Sequence, residues 1–533
     1  MTTLLLNGRI HSPTHPDATA MAIRGDVVAW LGSDEVARGQ FPDADVVDLG
    51  GAFVAPAFVD SHVHVTSTGL LLAGLDLRAA TSAQHCLQLL AEHAARRPDA
   101  IIWGHGWDDS AWPHSGAPST AQIDAVVGDR QVYLSRIDVH SALASTALRS
   151  RTPGLDNADG YDAQGPLTAG AHHLVRGHAR TQLSAAQRSG ARTAALEAFA
   201  ASGIVAVHEC AGPQIGGLDD WLELRATDHG VDVLGYWGEA ADSAAHATDL
   251  VAMTGAHGLA GDLFVDGALG SHTAWLSSPY SDDENNCGRC YLDADAIETH
   301  LRACTEEGIT AGFHVIGDAA VTAVVDALAR VVEQVGIPAV ARCGHRLEHL
   351  EMIGAEQAGQ LGSWGVIASV QPNFDALWGG PDGMYAQRLG RERAATLNPL
   401  AALASAGMPL AFGSDSPVTG MDPWATVRAA TTHRSDGSAV SARAAFSAAT
   451  RGGWRAGGVR DGITGTLAVG AMASYAVWAA EELEVSAPAD SVQRWSTDPR
   501  SRVPALPSLA AEDPSPRCLQ TVHRGTVLFD GQR

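Results

Sequence analysis

His62 and His64 are the first residues along the chain whose types and spacing could do chemistry. They stand two positions apart in the strand-like run AFVDSHVH, so both imidazole rings point to the same face of a strand. Two imidazoles that converge at the end of a strand chelate a divalent metal well. Because the chain has 23 histidines, a pair of this kind also arises by chance, and it predicts a metal site only together with further ligands.

Three further side chains of metal-binding type end later strand-like segments. His314 ends ITAGFHV, His349 ends HRLEH and Asp415 ends LAFGSD. Imidazole and carboxylate together suit zinc or a similar divalent ion. We therefore predict a divalent metal cofactor, with Zn²⁺ favoured.

The elements that must position these residues are strand-like segments alternating with Ala-rich helical stretches. The eight segments are AFVDSHVH, GIVAVHEC, DVLGYWGE, DLFVDGAL, ITAGFHVIGD, HRLEHLEM, GVIASVQPNF and PLAFGSDSP. Strands that alternate with helices form parallel sheets, and eight such units predict an α/β fold closed as a (β/α)8 barrel. Barrels of this kind build their active sites at the C-terminal strand ends, where the polar residues stand.

Spacing along the chain predicts the domain organisation. One barrel unit takes roughly 30 residues, and the interval from His64 to His208 is several times longer. We therefore expect an inserted subdomain at about 76–190, over the mouth of a barrel that spans 56–462. The strand-rich ends, 1–55 and 463–533, are expected to form one composite β-sandwich domain.

Composition narrows the class of protein and of partner. Acidic residues number 60 against 35 basic ones, and the net charge of −25 argues against nucleic acid and anionic membrane as partners. Seven scattered cysteines do not predict a disulfide framework, and the N-terminus lacks a basic leader. We expect a cytoplasmic protein with a small-molecule substrate, and leave open assembly as a homo-oligomer. The sequence contains no lysine, which excludes lysine-based catalysis.

An ordered set of motifs over nearly the whole chain resembles the amidohydrolase superfamily. The motifs are FVDSHVH, GHGWDD, DVHSALAS, VDGALGSHTAWLSSPY, HVIGDAAV, RLEHLEM, QPNFDALW and FGSDSPV. The branch that they resemble most contains D-aminoacylases and N-substituted formamide deformylases, amidohydrolase family 3. The resemblance implies a TIM-like metal-dependent hydrolase barrel with a small composite domain.

The resemblance also implies roles for individual residues. His62 and His64 correspond to the metal ligands of the first strand, His314 and His349 to those of the fifth and sixth, and Asp415 to that of the eighth. In this superfamily a metal-bound water attacks an electrophilic carbon, and the aspartate accepts its proton. Asp415 and His349 are therefore the expected catalytic residues, with His349 either a metal ligand or a group that polarises the substrate carbonyl.

The sequence departs from the superfamily pattern on the fourth strand. Many members bridge two metals with a carboxylated lysine, and the corresponding position here is Asp262. We therefore favour one tightly bound ion over two. The alternatives for a bridge are Cys210, Glu209, Asp262 and Asp266, although Cys210 could equally be a packed, small apolar residue.

Several other residues are candidates for binding substrate. Those with motif support are Trp107, Asp108, His140, Asp266, His272, Asn373, Phe374 and Trp378. His172, His173 and His345 have no such support, and we expect surface or structural roles for them.

The predicted function is hydrolysis of a carbon–nitrogen bond other than a peptide bond, in an amide or formamide-type substrate. A deaminase or cyclic-amidine hydrolase, or an esterase or lactonase, is an alternative on the same scaffold. A catalytically inactive amidohydrolase-like protein is the non-enzyme alternative.

Overall fold

The computed structural model describes residues 2–96, 101–113, 116–485 and 504–531. The predicted insertion lacks a description at residues 97–100 and 114–115, which lie outside the described residues. The same holds in the predicted composite domain for residues 1, 486–503 and 532–533. Within the described ranges, no helix combines the length and the apolar character needed to cross a membrane.

Eight parallel strands, each hydrogen-bonded to the next in chain order, form the central sheet. They are Phe58–Val63, Ile204–Ala211, Asp232–Trp237, Gly258–Leu259, Thr310–Val315, Arg346–His349, Ile367–Val370 and Leu410–Phe412. The sheet closes because the segment after the eighth strand pairs with the first: the His64 N–H donates to the Ser416 carbonyl at 2.9 Å and the Asp415 N–H to the His62 carbonyl at 2.8 Å. The predicted (β/α)8 barrel is confirmed.

Helices on the outside of the barrel bury one apolar face against it. Asp318–Val335 shows the reason, because its buried residues, such as Val321, Val324, Val325 and Leu328, recur every three or four positions. The helices are Val65–Ala73, Ala185–Ala201, Leu218–Arg225, Ala244–Thr254, Ala294–Glu307, Asp318–Val335, Ile337–Cys343, Ala355–Ser363, Pro372–Trp378, Met384–Leu389, Arg391–Ala394, Leu400–Ser405, Pro423–Thr431, Ala442–Ser447 and Gly453–Ala456, with a π-helical turn at Ala448–Gly452.

The fourth strand differs from its prediction. The segment DLFVDGAL was expected to be a strand, but the strand is Gly258–Leu259, and of the predicted segment only Phe264 makes an isolated bridge, to His314. The backbone turns at Gly261, whose φ is +73°, where a Cβ would lie only 3.0 Å from the Cys210 sulfur. Asp262 therefore follows the strand and lies at the mouth of the barrel.

The seventh segment was also predicted too long. Strand Ile367–Val370 ends before Pro372, which begins helix Pro372–Trp378 in a position where its missing N–H costs nothing. Asn373, Phe374 and Trp378 therefore lie on a short helix above the barrel.

Strands from both chain ends form two further sheets. The first contains, in spatial order, Val27–Gly32, Ala20–Arg24, Thr2–Leu6 and Asp45–Asp48; the second contains Arg9–Ile10, Phe53–Pro56, Tyr475–Ala479, Arg517–His523 and Thr526–Asp530. Leu483–Glu484 pairs with Leu506–Pro507, and helix Asp34–Gln40 follows strand Val27–Gly32. N-terminal and C-terminal residues share one core, in which Leu5, Ile10, Val54, Tyr475 and Val522 are buried together. The division at 55/56 and 462/463 stays a prediction.

A five-stranded sheet lies between the first two barrel strands in the chain. Its strands are Leu75–Asp76, Ile102–Trp107, Val132–Arg136, Ser141–Ala144 and Leu167–Thr168, and its helices are Ala83–Arg96, Thr120–Val127, Thr146–Arg149 and Ala169–Thr181, with 3-10 turns at Asp109–Ala111 and Leu155–Asn157. The His105 Nε2–H donates to the Pro417 carbonyl at 3.0 Å, just beyond the eighth barrel strand. The inserted sheet therefore contacts the loops at the C-terminal ends of the barrel strands.

Candidate metal centre

Two imidazoles and two carboxylates converge at the C-terminal ends of the first, fourth and eighth barrel strands. His62 Nε2 lies 3.3 Å from Asp262 Oδ1 and 3.6 Å from Asp415 Oδ1. His64 Nε2 lies 3.2 Å from Asp262 Oδ2 and 3.3 Å from Asp415 Oδ1. All four side chains are buried. Each carboxylate thus faces both histidines, although it comes from a different part of the chain.

His349 joins this cluster, whereas His314 lies beside it. Ligand atoms of His62, His349 and Asp415 lie within 4.8 Å of one another, as do those of His62, His64 and Asp262. The His314 ring centroid is 4.4 Å from that of His349, but its Nδ1 is directed towards Asp266 Oδ1, at 3.8 Å. The structure therefore brings together four of the five predicted ligands and adds Asp262 to them.

The donor atoms of the cluster fit a divalent metal. Among the buried atoms that lack a hydrogen-bond partner are His62 Nε2, His349 Nε2, Asp262 Oδ1 and Asp415 Oδ1. Buried polar atoms without partners are costly, and these four belong to two overlapping groups that share His62. Imidazole nitrogens and carboxylate oxygens are the ligands that zinc and similar ions take. His62, His64, Asp262, His349 and Asp415 would hold such an ion.

Glu348 orients His62 towards the cluster. The His62 Nδ1–H donates to Glu348 Oε2 at 2.9 Å, which leaves the Nε2 lone pair facing Asp262 and Asp415. Arg346 binds the same carboxylate with two hydrogen bonds, of 2.6 Å to Oε1 and 2.8 Å to Oε2. Burial raises the pKa of Glu348, but Arg346 outweighs it and holds that pKa well below its ordinary value. The carboxylate is therefore ionised inside the barrel.

The electrostatics of the cluster favour a cation. Burial lowers the pKa of His64, but Asp262 and Asp415 outweigh it and raise that pKa to about 9. Burial raises the pKa of Asp262, whereas His62 and His64 draw it well below its ordinary value. A metal ion and protons therefore compete for the same imidazole nitrogens.

The four candidates for a bridge have different surroundings. Asp262 places Oδ1 near His62 Nε2 and Oδ2 near His64 Nε2. Burial raises the pKa of the Cys210 thiol to about 12, and its sulfur lies with His62 and Glu348. Glu209 Oε2 accepts the Val65 N–H at 2.7 Å. Asp266 accepts the backbone N–H groups of Ile316, Gly317 and Trp275, and so holds the loop after the fifth strand.

Three of the predicted substrate-binding residues lie near the cluster. The His140 ring centroid is 5.0 Å from that of His314. The Phe374 ring stacks on His349 at 5.8 Å. Trp378 packs against Phe374, and its Nε1–H donates to Asp108 Oδ2 at 3.2 Å. Asp108 therefore contacts the aromatic residues beside His349 only through Trp378.

Three others have their polar groups occupied elsewhere. The buried Trp107 donates to the Leu134 carbonyl within the inserted sheet. Asn373 donates to the hydroxyl of Thr426 at 3.0 Å. The His272 Nε2 lies 3.0 Å from Asp282 Oδ1, in a partly exposed ion pair. The structure gives these three packing or loop contacts instead of a place in the metal cluster.

A small pocket lies between the barrel mouth and the segment inserted after the first barrel strand. His64 and Asp262 line it from the barrel, and Tyr133, His140, His173, Arg176 and Arg180 line it from the insertion. An adjoining, wider cleft shares Asp262, Phe264, His173, Arg180 and Ile215 with it. The candidate metal centre therefore faces a pocket that leads to a wider cleft.

Sequence reasoning missed part of this site. His173, Arg176 and Arg180 were not selected as pocket residues, although their spacing of three and four positions places them on one face of helix Ala169–Thr181. That spacing could have predicted that the three side chains lie together. Glu348 and Gln371 were also missed, because hydrogen bonds between distant strands leave no local pattern.

Comparisons with known proteins agree with this geometry. The family model described as "Amidohydrolase family" matches residues 45–529. Protein LONG AFTER FAR-RED 3 of Arabidopsis thaliana is 28% identical over 466 residues, which cover 80% of this chain and 77% of that protein. The putative amidohydrolase YtcJ of Bacillus subtilis is 27% identical over 450 residues, which cover 78% and 80%. The N-substituted formamide deformylase of Arthrobacter pascens is 25% identical over 134 residues, which cover 24% and 25%.

A solved structure shares the architecture. The crystal structure of an uncharacterized metal-dependent hydrolase from Pyrococcus furiosus superposes with a TM-score of 0.67 and 26% identity, covering 90% of this chain and 98% of that one. The resemblance that the motifs indicated is confirmed. With a family match over most of its length and a closed barrel that gathers histidines and aspartates at its mouth, this chain belongs to the amidohydrolase family.

Proposed function

We propose that this protein is a metal-dependent hydrolase that cleaves a carbon–nitrogen bond other than a peptide bond, in a small amide or formamide-type substrate. The observation that carries the proposal is the position of Asp415. Its Oδ1 lies 3.3 Å from His64 Nε2 and 3.6 Å from His62 Nε2, in a cluster that borders the pocket. Zn²⁺ is the favoured ion, and the cytoplasm the expected setting.

The metal would supply Lewis-acid activation of water and of the substrate carbonyl near neutral pH. Asp415 supplies the base. Its position is fixed, because its N–H donates to the His62 carbonyl, and its Oδ1 accepts no hydrogen bond from the described residues. A carboxylate held in this way accepts a proton from the attacking water and passes it to the leaving nitrogen.

His349 fits the role of a ligand better than that of a hydrogen-bond donor. Its Nδ1 lies 2.7 Å from Gln371 Oε1, so Nδ1 carries the hydrogen and Nε2 carries a lone pair. Burial, followed by the neighbouring His314 and His62, lowers the pKa of His349 to about 3, which keeps the ring neutral. A neutral imidazole with a free Nε2 lone pair binds a metal and cannot donate to a carbonyl from that atom.

We further propose one tightly bound ion per chain. Asp262 stands where relatives of the superfamily carry the bridging lysine, and a short carboxylate that faces His62 and His64 directly supports its role as a ligand to the same ion. Because the chain contains no lysine, no carbamate bridge can form. Depletion of bicarbonate should therefore change neither metal content nor rate.

The test uses zinc-loaded protein and a panel of N-formyl and N-acetyl amines, with matched esters and cyclic amidines. We expect hydrolysis of amide substrates, loss of activity on chelation, and a fall of at least about 100-fold in Asp415→Asn with zinc retained. Asp242→Asn, at an exposed side chain, is the matched control. A wild-type rate in Asp415→Asn would overturn the role of Asp415, and turnover of esters or amidines alone would favour the corresponding alternative.

A further inference from the structure

Arg176 and Arg180 line the pocket beside the candidate metal centre, and neither makes an ion pair with a carboxylate of the described residues. Arg176 is only 6% exposed, and its Nη2 donates to the Gln214 carbonyl at 2.8 Å and lies 3.2 Å from His173 Nδ1. Arg180 donates from Nη2 to Ser67 Oγ at 2.9 Å. The Nε atoms of both are buried and have no hydrogen-bond partner among the described residues. Each guanidinium therefore keeps unused donors next to the pocket.

Three of the four other buried arginines in the described residues pair with carboxylates, whereas Arg149 donates to backbone carbonyls. Arg136 pairs with Asp138 at 2.7 Å and with Asp108 at 2.6 Å, Arg192 with Asp220 at 2.8 Å, and Arg346 with Glu348 at 2.6 Å. A buried cation without a compensating anion is unfavourable, which is why such pairs are usual. Among the described residues, Arg176 and Arg180 make no direct ion pair of this kind, so a carboxylate ligand in the pocket would find both guanidiniums without a bound anion.

The two guanidiniums are placed to act together. They stand one turn apart on helix Ala169–Thr181, so both face the same side. Arg180 also lies over the Trp103 ring, 5.8 Å from its centroid, which restrains the planar group. The facing wall of the pocket contains His64 and Asp262 of the metal cluster.

We propose that Arg176 and Arg180 bind a carboxylate of the substrate while its carbon–nitrogen bond lies at the metal cluster. The inference rests on the proposed hydrolase function and narrows its substrate class to amides that carry a carboxylate, such as N-acyl amino acids. The planar guanidinium matches a carboxylate with paired hydrogen bonds, and the pocket opens into the adjoining cleft, which Arg180 and Asp262 also line.

The test measures binding rather than turnover. Zinc-loaded protein is titrated calorimetrically with monohydroxamates of linear dicarboxylic acids of increasing length, which offer a hydroxamate to the metal and a carboxylate to the arginines. Each is compared with a probe of the same length that ends in a primary amide. For the best spacer we expect the carboxylate probe to bind about 10- to 100-fold more tightly, the range of charge-assisted hydrogen bonds.

The arginine variants show where the preference arises. Arg176→Gln/Arg180→Gln should lose the preference for the carboxylate while zinc content and affinity for the amide probe stay unchanged. Arg180→Gln alone, at a less buried side chain, gives a milder variant that should lose part of it. Arg330→Gln, which removes an exposed arginine paired with Glu298 between two outer helices, is the control and should keep it.

The outcomes separate a failure of the carboxylate site from a failure of the hydrolase proposal. Equal affinity of both probes for the wild type, or a preference that survives in the double variant, overturns the carboxylate site and leaves the hydrolase proposal standing. Failure of both probes to bind protein that retains zinc contradicts the hydrolase proposal and this inference together.

Discussion

Glu348 Oε2 lies 2.9 Å from Nδ1 of His62, and both side chains are fully buried inside the barrel. The contact connects the metal cluster to an ion pair beneath it, because the same carboxylate binds Arg346 with two hydrogen bonds. Arg346 is held in turn by the Ser61 carbonyl and the Ser369 hydroxyl. The orientation of His62 therefore depends on a charge pair from the sixth strand.

Glu348→Gln should weaken both metal binding and the fold. The change replaces one carboxylate oxygen by an NH2 group, so the side chain can no longer accept from both His62 and Arg346 in the present arrangement. Changes of this kind typically lower metal affinity 10- to 100-fold, so we expect about that loss. The substitution also leaves Arg346 buried without its anion, which should lower the free energy of unfolding by roughly 3–5 kcal/mol. Zinc titration and urea unfolding measure the two effects. Glu356→Gln, on an outer helix, is the control, and an unchanged zinc affinity in Glu348→Gln would refute the orienting role.

Cys210→Ser should leave the metal count unchanged. Burial raises the pKa of this thiol to about 12, so the group is protonated and behaves as a small apolar side chain. We expect a loss of about 1 kcal/mol in stability and wild-type zinc stoichiometry. Cys86→Ser, at another buried cysteine in the inserted subdomain, should behave alike. Loss of metal from Cys210→Ser alone would show that the thiolate is a ligand.

His300 makes stability depend on pH below neutrality. Its Nδ1 accepts the Ala241 N–H and its Nε2–H donates to the Leu259 carbonyl, which only a neutral ring can do. Burial lowers the pKa of His300 to about 4, whereas the unfolded chain binds this proton near pH 6.5. The stabilisation of the fold by the neutral His300 ring is therefore complete above pH 6.5 and is lost as the pH falls to about 4. The free energy of unfolding falls by roughly 3 kcal/mol over this range.

The measurement is the urea midpoint from pH 7 to pH 4, in the wild type and in His300→Gln. The variant is less stable at pH 7, but its stability should fall less steeply with decreasing pH. His246→Gln, at an exposed histidine, should retain the wild-type slope. A slope in His300→Gln that equals that of the wild type would contradict this assignment.

The barrel and most residues of the candidate metal centre could be predicted because their information is local. His62 lies in the first strand and His64 just after it, His349 ends the sixth strand, and Asp415 follows the eighth by three residues. The segments that contain these residues read as apolar runs. Asp262 was harder to interpret, because its segment has the composition of a strand. The turn at Gly261, next to Cys210, ends that strand early, and nothing in the local pattern shows a contact with a residue of the second strand.

The polar supports of the site could not be predicted, because they depend on contacts between distant segments. Glu348 reaches His62 across the barrel, and Gln371 reaches His349 from the next strand. Arg176 and Arg180 line the pocket only because helix Ala169–Thr181 lies over the barrel mouth. The periodicity of the sequence does not predict that placement.

The central claim is that one metal ion binds where His62, His64, Asp262 and Asp415 converge. Elemental analysis after zinc loading and desalting tests it most directly, on the wild type, on His62→Ala/His64→Ala and on the exposed-site control His246→Ala, each checked for folding by circular dichroism. We expect one tightly held zinc per chain in the wild type and the control, and none in the double variant. An equal zinc content in all three folded proteins would contradict it.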